Sequence, residues 1–301
     1  MKNTVYGPLV DIVAPAWKCA PQDLKKGMEL ILEWGLHSRH PKNIFDKRST
    51  FSHEDDIRFD FLKMALTNYE SDFVWCVRGG FGSMRLVPKL LKLKKPSRKK
   101  LFLGLSDITT LHLFLNQVWG WPTIHGPMLD RLGSRPPPPK YQRELKDLLT
   151  GRNSEIHFSN LKPMNAAARK KPKMRGKVTG GNLITLQSSI GTKIQWQTRN
   201  KILFLEEIGE RGYRVDRVLE HFRQLGLWNK PKALVLGDFT GGAEPTGKDF
   251  VPRVLKEFAE SQSFPIYKGI QSGHGVIQRP VPFGTESILQ SHGLTCSWPK
   301  L

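Results

Sequence analysis

Two short runs, residues 73–77 (FVWCV) and 101–105 (LFLGL), carry no polar side chain, and each breaks into a turn of small residues followed by a helical segment. A strand that is apolar on both faces must be covered on both, and helices lying between successive strands supply that cover, which is the pattern of a parallel α/β sheet. The same alternation runs through the first half of the chain. A strand over 9–13 ends at Ala14-Pro15, a helix over 21–34 is stopped by Gly35, and further helices are expected over 53–67 and 109–117. Ser52 stands where it can cap the helix over 53–67, with Ile57, Phe61, Met64 and Ala65 on its apolar side. Ligands of such sheets bind at the carboxyl ends of strands, so chemistry is sought there.

The second half is organised differently. Thr179-Gly180-Gly181-Asn182 precedes an apolar helix over 183–189, and a strand over 202–205 delivers Glu206 and Glu207 at its end. A helix over 213–225 aligns Val215, Val218, Leu219, Phe222 and Leu225, a strand over 233–236 ends at Gly237-Asp238, and Gly273-His274-Gly275 lies in a loop before strand-like pieces near 281–283. A length of 301 residues allows two domains. The proline run 136–139 and the basic stretch 162–177 mark a break in composition, so the expected organisation is an N-terminal α/β domain over 1–150, a linker over 151–176 and a C-terminal domain over 177–301.

The chain carries 47 basic and 27 acidic residues, a net charge of +20. That charge raises the prospect of polyanionic partners. The basic residues concentrate in 89–100 and 162–177, and neither stretch interleaves aromatic side chains that would stack on bases, so nucleic acid is disfavoured and solvated connecting loops are expected. No run approaches the length of a spanning helix, and the N-terminus lacks an export signal's apolar core, so no membrane association and a cytoplasmic location are expected. Three scattered cysteines form neither a disulfide framework nor a metal knuckle, and no His-Glu-x-x-His motif occurs, so no metal site is expected.

Several strand-end features can carry chemistry. Ser106-Asp107 occupies a strand-to-helix turn, where a hydroxyl is exposed and the next backbone N–H faces a developing oxyanion; the competing reading is a helix cap. Arg78-Gly79-Gly80-Phe81-Gly82 lets backbone N–H groups approach a ligand, or is only a tight turn. It matches neither G-x-G-x-x-G nor a Walker loop. His274, between two glycines, and His125, at a strand end, are rival bases, and Glu206 or Glu207 is placed to orient one of them. The order serine, acid, histidine also occurs in α/β-hydrolases, but G-x-S-x-G is absent and the acid comes from the second half, which indicates a different serine hydrolase.

Taken in order, Arg78-Gly79-Gly80-Phe81-Gly82, Gly104-Leu105-Ser106-Asp107-Ile108-Thr109, His125-Gly126-Pro127-Met128, Gly180-Gly181-Asn182-Leu183, Phe204-Leu205-Glu206-Glu207-Ile208-Gly209-Glu210, Leu236-Gly237-Asp238-Phe239 and Gly273-His274-Gly275 closely resemble the LD-carboxypeptidase family, which includes murein tetrapeptide carboxypeptidases and microcin-immunity peptidases. The resemblance spans nearly the whole chain. It implies a parallel-sheet, Rossmann-like N-terminal domain joined to a smaller β-rich C-terminal domain, usually as a homodimer. It also implies a catalytic Ser106, Glu206 and His274, with the backbone N–H groups of Gly80 and Asp107 as the oxyanion hole. Arg78 is a candidate for the substrate's terminal carboxylate, or else forms a structural ion pair. The family's Leu-Glu-Asp is here Leu205-Glu206-Glu207, and Gln271-Ser272 precede Gly273 in place of the commoner phenylalanine.

The implied activity is a serine carboxypeptidase that releases terminal D-alanine from murein tetrapeptides, with no metal or organic cofactor. A microcin-immunity type of peptidase acting on acyl-adenylate-like amides is the alternative, and a basic nucleic-acid binder the more remote one.

Overall fold

The computed structural model describes residues 7–47, 49–170 and 172–298, and the chain divides into two units between Arg152 and Asn153. The first residues of the segment read for an export signal, and one lysine of the second basic stretch, lie outside the described residues.

In the N-terminal unit β1 (Leu9–Val13), β2 (His37–Arg39), β3 (Phe73–Cys76), β4 (Leu101–Gly104) and β5 (Thr123–His125) pair in parallel in the order β5-β4-β3-β1-β2. Every residue of β3 and β4 is buried, which is why those runs hold no polar side chain. The helix Pro21–Glu33 starts with proline in its first turn and gives way to Gly35 at φ +84°. It packs closely on the helix Leu129–Ser134: a Cβ on Gly133 would lie 1.9 Å from the Asp23 carbonyl oxygen, a position only glycine can occupy.

Two local expectations are corrected. Ser52 does not cap the second helix, which runs Asp55–Thr67; it is buried and donates to the Ala14 carbonyl at 2.5 Å. That helix buries Arg58, Leu62, Ala65 and Leu66, while Met64 is exposed, because Arg58 is drawn inward by the carbonyls of Pro15 and Gly82 and by Asp55. Likewise Lys100, read as part of a solvated basic loop, is buried, with its ammonium donating to the Ala65 carbonyl at 2.7 Å and Ser71 Oγ at 2.6 Å.

The second unit holds β6 (Glu155–Phe158), β7 (Lys162–Pro163), β8 (Met174–Asn182), β9 (Ile202–Ile208), β10 (Ala233–Thr240), β11 (Ile266–Lys268), β12 (Val281–Phe283), β13 (Glu286–Gln290) and β14 (Gly293–Ser297). Its sheet runs β6-β14-β13-β8-β9-β10-β11-β7. Strand β8 joins two kinds of pairing: Met174–Lys177 pair antiparallel to β13, and Val178–Asn182 parallel to β9. Helices Leu183–Ser188, Gly212–Gln224 and Val251–Glu260 follow β8, β9 and β10 as crossovers. Val215, Val218, Leu219 and Phe222 are buried as their spacing predicts, whereas Leu225 is exposed.

The stretch 151–176, expected as a linker, carries β6, β7 and the short helix Ala166–Arg169. Ile156 and Phe158 alternate inward from β6, which pairs with β14, and the Asn165 side chain donates to the carbonyls of Ala259, Gln262 and Phe264. Two buried apolar residues in an otherwise polar stretch are too weak a periodic signal to stand out. Among the described residues no helix is long and apolar enough to cross a membrane.

Candidate active site

Strand β4 ends at Gly104, and Leu105 continues extended before the chain turns sharply at Ser106, whose φ is +67°. A left-handed backbone at a non-glycine residue is costly and is retained where the surrounding structure enforces it. The turn leads through Ser106–Ile108 into the helix Thr109–Phe114 and leaves Ser106 partly exposed. Neither Ser106 nor Asp107 caps that helix. The Asp107 carboxylate instead accepts the Ser83 N–H at 2.7 Å and so ties the serine turn to the glycine-rich segment. Burial raises the Asp107 carboxyl above its ordinary range, and the Ser83 hydrogen bonds oppose that rise.

That segment presses directly on the serine. A Cβ on Gly79 would lie 2.7 Å from Ser106 Cβ and 3.1 Å from its Oγ. Gly80 has φ +94°, and a Cβ there would enter the Trp17 indole at 2.7 Å. The Trp17 backbone N–H donates to the Gly79 carbonyl at 3.1 Å, holding the turn in place. Arg78, at the head of the segment, is half-exposed and stands 3.8 Å from Asp130, a carboxyl that burial pushes up to about 6. The N-terminal unit thus gathers Ser106, Asp107, Gly80 and Arg78 around the ends of β3 and β4.

Glu206 and His274 come together in the second unit. Glu206 projects from β9 with no solvent exposure, and its Oε2 lies 2.7 Å from His274 Nδ1. A hydrogen donated from Nδ1 to that carboxylate leaves the basic lone pair on Nε2. Burial disfavours the imidazolium, but the charge and hydrogen bond of Glu206, joined by Glu207 and Asp238, outweigh it and hold the His274 pKa above the ordinary histidine value.

The neighbouring acid has another task. Glu207, the other acid placed by the sequence to orient a histidine, is buried too. Its carboxyl accepts Asn182 Nδ2 at 3.0 Å, the Ile184 N–H at 3.0 Å and the Ile208 N–H at 2.8 Å. It therefore anchors the start of the helix Leu183–Ser188. Burial and then the charge of Glu206 push it up to about 7. The rival histidine, His125, is fully buried at the end of β5, its ring 6.2 Å from that of His112. His112 contacts the Gly104 carbonyl at 2.8 Å, and burial pushes it down to about 4.

A serine in a strained turn beneath a glycine-rich loop, and a carboxylate-bound histidine, are parts suited to acyl transfer. Comparison with known proteins agrees. Residues 10–126 match the LD-carboxypeptidase N-terminal domain, and residues 175–289 match the LD-carboxypeptidase C-terminal domain. The chain belongs to the LD-carboxypeptidase family. A carboxypeptidase-like protein of Rickettsia conorii is 42% identical over 235 residues, covering 77% of this chain and 72% of that protein. The murein tetrapeptide carboxypeptidase of Pseudomonas aeruginosa is 28% identical over 296 residues, 95% and 94% of the two chains. The crystal structure of muramoyltetrapeptide carboxypeptidase from Oxalobacter formigenes superposes with a TM-score of 0.84 at 27% identity, covering 97% of this chain and all of that one.

In this LD-carboxypeptidase, sequence reasoning missed the side-chain role of Asp107, the Trp17 contact behind Gly80, and Asp238, which touches the histidine loop. Gly237-Asp238 was legible as a strand terminator and as part of the family resemblance, with no role assigned to either residue. Among the described residues no group of three His, Cys, Asp or Glu side chains is arranged to hold a metal ion, and all three cysteines are buried and unpaired.

Proposed function

We propose that this serine-type carboxypeptidase releases the terminal D-alanine of murein tetrapeptides with Ser106 as nucleophile, His274 as general base and Glu206 as the acid that orients it. The observation that carries the assignment is the 2.7 Å contact between Glu206 and His274, formed by the one acid of the pair that is not committed to backbone N–H groups. In the reaction, His274 Nε2 takes the Ser106 proton as Oγ attacks the carbonyl of the scissile amide. The backbone N–H groups of Gly80 and Asp107 hold the oxyanion. The tetrahedral intermediate collapses, D-alanine leaves with the proton from His274, and water repeats the sequence on the acyl-enzyme. Arg78 would receive the terminal carboxylate in exchange for its loose Asp130 contact.

We further assign the enzyme to the cytoplasm, acting on recycled wall peptides, and to a homodimer, on the family resemblance. The microcin C7 self-immunity protein of Escherichia coli, 25% identical over 234 residues, supports a second reading in which the scissile amide belongs to an acyl-adenylate-like compound. The test is mass spectrometry of muropeptides incubated with enzyme. The wild type should convert tetrapeptide to tripeptide with release of D-alanine. Ser106→Ala should lose about 10⁴-fold or more in rate while keeping its fold. A folded, active Ser106→Ala refutes the mechanism, and an inert wild type on tetrapeptide turns the reading toward the immunity substrates.

A further inference from the structure

Strands β9 and β10 keep regular parallel register through Leu205 and Leu236, and the pairing resumes at Glu207 with Phe239. Two residues of β10, Gly237 and Asp238, therefore stand against the single residue Glu206. This is a β-bulge beside the acid that holds His274. Bulges re-aim side chains, and this one sets the Asp238 carboxylate against the histidine loop.

Asp238 grips that loop twice. Its backbone N–H donates to the Ser272 carbonyl at 2.9 Å, and its Oδ2 accepts the Gly275 N–H at 3.2 Å, so the two bonds bracket His274 in sequence. The flanking glycines record the closeness of the fit. A Cβ on Gly275 would lie 2.5 Å from Asp238 Oδ2, and one on Gly273 would lie 3.0 Å from Glu206 Oε2 and 3.2 Å from Asp238 Cβ. Beyond the bracket, Ser272 Oγ donates to the Arg279 carbonyl at 2.7 Å and the Arg279 N–H to the Gln271 carbonyl at 3.0 Å, closing the loop on itself.

We propose that Asp238 is a positioning residue for His274: it clamps the loop through Gly275 so that the imidazole stays on Glu206, and its negative charge helps retain the imidazolium formed during catalysis. This rests on the reading of His274 as the base. The titratable groups whose charge acts on His274 are Glu206, which touches it, Asp238 across the histidine loop, and Glu207 from the opposite side of β9, all acids, and those that act on Asp238 are Glu206 and His274. Burial pushes the Asp238 carboxyl up to about 6, opposed by the Gly275 N–H, reinforced by Glu206 and opposed again by His274.

Two substitutions separate clamp from charge. Asp238→Asn retains an oxygen to accept the Gly275 N–H but carries no charge, and Asp238→Ala has neither. In the full-length enzyme, kcat and KM for D-alanine release from murein tetrapeptide are measured from about pH 5 to about pH 9, with thermal melts as the folding control. Asp238→Ala should lower kcat about 10- to 100-fold with KM within about twofold of wild type. Asp238→Asn should restore kcat at high pH to within about threefold of wild type and move the acidic limb to lower pH, because the imidazolium has lost an anionic neighbour. A wild-type kcat in Asp238→Ala, or an Asp238→Asn limb at the wild-type position, overturns the inference; if Asp238→Ala fails to fold, the Asp238→Asn limb decides alone. His274→Ala separates the two levels of the argument. If it is as active as wild type, the base is misassigned and the inference falls with it; if it is inactive while Asp238→Ala is wild type, only the role of Asp238 falls.

Discussion

Replacing Glu206 by glutamine exchanges one oxygen for an NH₂ group at a side chain with no solvent exposure, 2.7 Å from His274 Nδ1. In the proposed mechanism the anion it removes stabilises the imidazolium that forms as Ser106 attacks. With charge centres about 4 Å apart and an effective dielectric near 20, that attraction is about 4 kcal/mol, equivalent to about 10³ in rate. The amide can also donate to Nδ1 and hold the hydrogen on Nε2, where it cannot accept the serine proton, and the comparable change in a Ser-His-Asp triad costs about 10⁴. We therefore expect kcat/KM for D-alanine release to fall by about 10³ to 10⁴, with circular dichroism unchanged. Glu207→Gln is the matched control. Its amide keeps one accepting oxygen but cannot serve all of Asn182, Ile184 and Ile208, so the loss should appear as about 1–3 kcal/mol of stability, with kcat/KM within about tenfold of wild type. A crippled but stably folded Glu207→Gln beside a nearly wild-type Glu206→Gln would refute the assignment of the triad acid.

The pH profile should show kcat/KM falling on the acid side as His274 protonates, and because its acidic neighbours raise its pKa, the limb should lie above about pH 6.5, the ordinary histidine value. A limb below that value contradicts the Glu206–His274 pairing. Gly79→Ala places a Cβ 2.7 Å from Ser106 Cβ and 3.1 Å from the Leu105 carbonyl oxygen, so Ser106 or the loop must move. A loss of about 10²-fold in kcat is expected in a folded protein, and wild-type turnover would show that the loop does not position the nucleophile.

How much of this was legible beforehand depended on the kind of signal. The strands of the parallel sheet were readable because burial on both faces excludes polar side chains, a local property that survives in the bare sequence at 73–77 and 101–105. The glycine-rich turn and the Ser106 turn were readable for a similar reason: each is a short backbone feature with its own residue preferences. Strands β6 and β7 were not, since β6 buries only two residues and β7 none, and each is defined by its pairing with a strand distant in sequence, β14 and β11. Ser52, Met64 and Lys100 were misread for the opposite reason, because the groups that set their placement come from distant segments: the Ala14 carbonyl, the Pro15 and Gly82 carbonyls that take Arg58 inward, and the Ala65–Ser71 bend.

The candidate site divides along the same line. By itself the sequence determined the residue types, their order and the strand ends that carry them, because alternation in a strand makes Glu206 and Glu207 point to opposite sides wherever β9 packs. Which side holds the histidine was decided only by tertiary structure, which brings Glu206 to a loop 68 positions away and commits Glu207 to the start of a helix. The bulge that turns Asp238 toward that loop is likewise invisible in the sequence, for it is a mismatch in register between two strands and belongs to neither alone.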